Sequence, residues 1–220
     1  MPKTWLTITG STIPPEMQGR VFLGEKQEPA REQVFMARDR MDEAPDMQRA
    51  LRDDRYLYIR NYESFRPNGQ FLEYLWAAPS MAAWDAYHKA GKTDATTGAF
   101  FRPKVVEELF NCEIDPHNVK NLAEDPAHAE RLTRMREGLK KQQTTLHDCG
   151  FLPEACLVNR AKENKTTIYE LICNPKLYDQ IGYMKAADTA NFAKPADLPE
   201  LIKLLESERH RRHSSNHEAG

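Results

Sequence analysis

The stretch Val34–Tyr62, VFMARDRMDEAPDMQRALRDDRYLYIRNY, holds two strand-like runs, a turn and a dense charge cluster in one continuous segment. Gln48–Arg52 and Arg55–Tyr62 flank Asp53-Asp54, whose short side chains tolerate the positive φ angles that two-residue hairpin turns need. The pattern predicts a β-hairpin. Strand side chains alternate between faces, so Leu57 and Ile59 fall on one face and Tyr56, Tyr58 and Tyr62 on the other, and both faces should be partly covered.

Upstream of the hairpin, Val34-Phe35-Met36-Ala37 is expected to form a short buried strand that ends in the polar loop Arg38-Asp39-Arg40-Met41-Asp42-Glu43. Two readings of that loop are open. Its charges pair with one another on a solvated surface, or its arginines receive an anion.

Downstream, residues 60–70 carry the turn cluster Pro67-Asn68-Gly69, where Arg60 and Arg66 either extend a surface for an anionic substrate or are simply solvated. Residues 71–89 are aromatic-rich, with helical pieces interrupted at Pro79-Ser80. A stripe of Leu72, Leu75, Trp76, Met81, Trp84 and Tyr87 is expected to be core, the alternative being a carbohydrate platform. In 107–114, Phe110, Cys112 and Ile114 alternate with Asn111 and Glu113, which predicts a half-buried strand added to the hairpin and stopped by Asp115-Pro116. Asp125 and Pro126 then open a helix whose Ala129, Leu132, Met135, Leu139 and Leu146 form one face, so it should cover the sheet until Gly150. Helices are further expected from Pro153-Glu154, from Asn174-Pro175 with Leu177, Ile181, Met184 and Ala187, and from Leu198 to Leu205.

Composition narrows the class. With 40% apolar and 29% charged residues in 220, the chain is ordinary globular material for one sizeable domain or two small ones. A net charge of -2 argues against nucleic acid as a partner. No apolar run reaches the roughly twenty residues that span a membrane. Residues 1–6 lack the apolar core of a signal peptide, so the chain as written is expected in the cytoplasm. Cys112, Cys149, Cys156 and Cys173 show no C-x-x-C spacing, and buried free thiols are expected rather than bridges or zinc. The tail 209–220 is polar and expected to be disordered; its His210, His213 and His217 present no preorganised metal geometry.

Several motifs occur in a fixed order: Met17-Gln18-Gly19-Arg20, Phe22-Leu23-Gly24, Val34 to Glu43, and Arg52-Asp53-Asp54-Arg55-Tyr56-Leu57-Tyr58-Ile59-Arg60-Asn61. Glu107 to Pro116 and Asn118-Val119-Lys120-Asn121-Leu122-Ala123 follow. Together they resemble the carboxy-terminal part of a type I, formylglycine-dependent sulfatase or arylsulfatase of the alkaline-phosphatase-like superfamily, with its acidic strand and N-x-x-N-L-A turn. The resemblance implies an α+β fold: a small antiparallel sheet of about three to four strands packed by a helix and followed by an α-helical extension. It implies residues 1–33 as a remnant of the amino-terminal domain and crossover, with Thr4–Thr9 a helix tail. Residues 34–150 would form the carboxy-terminal subdomain, and 151–208 a helical extension resembling the start of HEAT-like repeats.

Sulfate-ester hydrolysis needs a strong nucleophile and charge neutralisation. The family supplies these as formylglycine, made from the cysteine of a C-x-P-S-R-like motif, and as calcium. No cysteine here fits that motif: Cys156 is followed by Val158 and Asn159 before Arg160, and the others have no arginine at that spacing. The resemblance therefore implies a hydrolase part inactive by itself, calcium and formylglycine belonging to a catalytic half encoded before Met1, and native export if that half carries a leader. Its substrate-facing residues would be Arg38, Asp39, Arg40 and Asp42, with Arg60 behind them, meeting a sulfated small molecule or carbohydrate when complemented. The alternative is a stand-alone, non-catalytic module for sulfated ligands or protein interaction.

Overall fold

The computed structural model describes residues 1–199 and 201–203 and divides into two units, Met1–Val34 and the chain from Phe35 onward. In the first, helix α1 (Pro2–Ile8) opens on a proline, which costs nothing where no intrahelical N–H bond is made, and Gly10 follows at φ 70°. Thr4, 2% exposed, anchors the helix: its hydroxyl accepts from the Phe22 N–H at 3.2 Å and donates to the Arg20 carbonyl. Trp5 and Ile8 remain exposed.

Apart from Val34, the last residue of the first unit, the second unit holds a sheet of four strands, β1 (Val34–Arg38), β2 (Gln48–Arg52), β3 (Tyr56–Asn61) and β4 (Glu107–Asn111), in the order β1-β2-β3-β4. β2 and β3 are antiparallel with Leu51 opposite Tyr58; β3 and β4 are antiparallel with Tyr58 opposite Leu109. Directly opposed residues share a face, so Arg49, Leu51, Tyr56, Tyr58, Arg60, Glu107 and Leu109 line one side. Against it lies α4 (Ala129–Thr145), whose Leu132, Met135 and Leu139 recur at helical spacing and close the core with Leu51, Tyr58 and Leu109. Leu51 and Leu109 are fully buried, each contributing about 1.5–3 kcal/mol. Leu57 and Phe110 are buried on the other side of the sheet.

The hairpin is present, with its turn displaced. Neither Asp53 nor Asp54 has positive φ. The Asp53 N–H donates to the Tyr56 carbonyl, while the Asp53 carboxylate accepts from the Arg55 and Tyr56 N–H groups at 2.9 and 2.6 Å. A side chain thus takes the acceptor's place in the turn.

Other boundaries shift for local reasons. β1 is an edge strand and not buried: Val34 and Met36 are exposed, and only Phe35 packs on the core. β4 ends at Asn111 because the Asn111 carbonyl accepts from the Ile114 and Asp115 N–H groups in a turn, leaving Ile114 75% exposed. Between β3 and β4 lie α2 (Glu73–Trp76) and α3 (Pro79–Lys89). Their stripe is core only at Leu72 and Met81; Leu75, Trp76 and Trp84 are half-buried, Tyr87 is exposed, and Trp84 stacks on Phe100 at 4.8 Å. All four cysteines are free and half-buried rather than buried.

After α4, α5 (Glu154–Glu163) and α6 (Ile168–Cys173) form a second small core of Leu152, Leu157, Ala161, Leu171 and Tyr178. The helix expected from Asn174-Pro175 starts later. Asn174 ends α6, and α7 (Gln180–Phe192) is capped by Asp179, whose carboxylate accepts from the Gly182 N–H. Leu177 lies outside α7. That helix returns to the sheet: Asp188 meets Arg60 at 2.9 Å, and Asn191 donates to the Tyr62 carbonyl. The tail 209–220, including His210, His213 and His217, and the end of the expected 198–205 helix lie outside the described residues.

Candidate functional site

Loop 38–44 sits where β1 ends, and its shape is set by Arg49, a residue that sequence reasoning passed over. The Arg49 guanidinium is 1% exposed and uses all of its N–H groups. It donates to both Asp148 carboxylate oxygens at 2.7 and 2.8 Å, to Asp39 at 2.9 Å, and to the Arg38 and Gln48 carbonyls. Burial disfavours the charged form, but Asp148 and Asp39 outweigh it and raise the guanidinium's pKa. Asp148 is the mirror case: burial alone would lift its pKa, while the hydrogen bond and charge of Arg49 hold it below the ordinary 3.8. Gly150 is part of this packing, since a Cβ there would fall 1.9 Å from Arg49 Nη2.

The loop closes on itself through reciprocal Met41 and Ala44 backbone bonds, with Asp42 at φ 48°. Aspartate tolerates that left-handed conformation better than most residues. Arg38 is 35% exposed and lies 3.7 Å from Asp46, a fully buried carboxylate that also takes Lys104 Nζ at 2.8 Å. Arg40 is 55% exposed; it donates to the Asp42 carbonyl and pairs with Glu154 of α5. The structure therefore groups Arg38, Asp39, Arg40 and Asp42 in one loop, with Asp39 engaged by the buried Arg49. Arg60 belongs to a different hydrogen-bonded set, with Asp188.

That second set lines a cleft of about 450 Å³ between α4, α7 and the β3–β4 edge. Arg60 lies between the Tyr62 and Phe192 rings, 5.1 and 4.4 Å from their centroids. Glu107 accepts from Arg136 through both oxygens and from the Tyr58 hydroxyl at 2.6 Å. Burial works against the Glu107 carboxylate, but Arg136 and Tyr58 outweigh it and lower its pKa. On the opposite side of the sheet, burial pushes the Glu108 carboxyl above its ordinary 4.5, partly offset by the hydrogen bond from Asn61 and the charge of Lys104.

The described residues do not fit calcium or a formylglycine. No three His, Cys, Asp or Glu side chains among them converge as a metal site requires, and no cysteine stands in the motif. No catalytic step is assigned to this chain. No helix among the described residues is long and apolar enough to cross a membrane.

The chain is homologous to part of a sulfatase-family protein. The relative that shows it is an ulvan-active sulfatase from Formosa agariphila, 34% identical over 165 residues, which are 74% of this chain and 28% of the relative. The chain thus spans little more than a quarter of that protein's length. No family model matches the chain. Among solved structures, a 2-O GAG sulfatase matches 66% of this chain and 24% of its own at 22% identity and TM-score 0.42. A protein solved with its substrate D-glucosamine-2-N,6-O-disulfate matches 66% and 23% at 15% identity and TM-score 0.42.

Proposed function

We propose that this chain forms the carboxy-terminal, substrate-cleft side of a sulfuric ester hydrolase and has no turnover by itself. The observation that carries the reading is the 34% identity to a stretch of the ulvan-active sulfatase. A sulfated polysaccharide such as ulvan is the substrate class this suggests. Within the chain, loop 38–44 is the substrate-facing element. Arg38 and Arg40 keep part of their guanidinium surface in solvent, where planar N–H forks suit a sulfate's oxygens. Asp39 and Asp42 shape the loop, and Arg60 supports the sheet behind it.

The exposed Arg40–Glu154 pair costs little to open, because solvated ion pairs are worth only about 0–1 kcal/mol. An arriving sulfate can therefore replace the Glu154 carboxylate. The test grafts this chain into the relative in place of the segment it matches, then titrates sulfated ulvan oligosaccharides into the graft. Arg38→Ala with Arg40→Ala should weaken binding by about tenfold or more. Unchanged binding would remove the loop from the substrate site.

A further inference from the structure

The cleft between α4 and α7 is lined by none of residues 38–44, and the reading above draws on it only through Arg60. Its charges are balanced: Arg60, Arg136 and Lys140 stand against Glu107, Glu137 and Asp188. Both arginines are already held by carboxylates, Arg60 by Asp188 at 2.9 Å and Arg136 by Glu107 through two bonds, and Lys140 lies 4.0 Å from Asp188. An anion entering here would have to displace a fixed carboxylate, and a purely apolar ligand would strip water from charged groups. The lining suits a ligand whose groups both donate and accept hydrogen bonds.

An aromatic platform completes the set. Phe192 is 53% exposed, yet its ring is held in place by the Arg60 guanidinium 4.4 Å from the ring centroid. A ring fixed by a cation, with apolar surface left in solvent beside paired carboxylates and guanidiniums, complements the C–H face and hydroxyl rim of a pyranose. The volume, about 450 Å³, is within the range of small-ligand sites. We propose that this cleft binds an uncharged sugar ring, stacked on Phe192 and hydrogen-bonded by the Arg136–Glu107 and Arg60–Asp188 pairs. The proposal does not depend on the sulfatase reading.

The test uses the full chain, with xylotriose, maltotriose and inorganic sulfate as probes, followed by calorimetry and saturation-transfer NMR. At least one neutral oligosaccharide should bind. Phe192→Ala should weaken it by about tenfold or more, and Thr133→Trp, which fills the cleft from an exposed position on α4, should abolish it. Sulfate should not compete. Phe192→Leu keeps apolar bulk against Arg60 without the ring, and it should show the same loss if the alanine variant melts early. The proposal is overturned if neither oligosaccharide binds, if binding survives both cleft substitutions, or if sulfate displaces the sugar.

Discussion

Arg49 joins the sheet, the 38–44 loop and the turn after α4 through one guanidinium. Removing one partner of a buried ion pair leaves the other uncompensated, a loss of about 3–5 kcal/mol. Arg49→Ala is therefore expected to lower unfolding free energy by about that amount in urea. The double variant Arg49→Met with Asp148→Leu, which removes both charges, should be less damaged than the single one. Equal damage in both would mean that the pair's charge is irrelevant to the fold. Glu108 offers an opposite sign. Its carboxyl titrates higher in the folded chain than its ordinary 4.5, so the stability tied to its protonated form is present below that value and lost as pH rises through the folded pKa. Glu108→Gln is expected to raise the melting temperature at pH 7, with the gain vanishing below about pH 4. A melting temperature that falls at neutral pH would contradict it.

At the scale of elements, the hairpin turn rests on a carboxylate rather than on positive backbone angles. Asp53→Ala should cost about 1–3 kcal/mol, since two N–H groups lose a charged acceptor, whereas Asp53→Asn keeps an oxygen there and should cost less. Met184 of α7 is buried, 1% exposed, and Met184→Ala should destabilise the whole unit by about 2–5 kcal/mol in one cooperative transition. A separate early transition would show α7 unfolding alone. The antiparallel β2-β3-β4 pairing and the sheet-covering face of α4 were legible because their periods, two and about 3.6, are local properties of the chain. Arg49 was not, because an arginine in a strand looks solvated until Asp148, 99 residues away, is folded against it. The positive φ expected at Asp53-Asp54 is absent there, because the Asp53 carboxylate holds the turn, and Asp42 adopts one where the Met41 and Ala44 backbone bonds close the next loop upstream. For α6 a signal was present: Thr167 and Glu170 form a reciprocal capping box. Reading Asn174-Pro175 as a helix start hid the stronger cap at Asp179. Of the candidate site, the clustering of the 38–42 loop could be read directly, but the cleft around Arg60 could not, because it is assembled from β3, β4, α4 and α7.

For the molecule as a whole, homology to sulfatases covers 74% of this chain but 28% of the relative, so its proposed role is that of one side of a larger active-site cleft. That role asks the sheet to present loop 38–44 on a rigid base, and the buried Arg49–Asp148 pair, the α4 core and the return of α7 supply one. The most direct measurement is sulfate release from ulvan by the ulvan-active sulfatase carrying this chain in place of its own matching segment. Sulfate should be released by the graft, and Arg38→Ala with Arg40→Ala should raise KM by about tenfold with little change in kcat. A graft that folds and releases no sulfate would contradict the account.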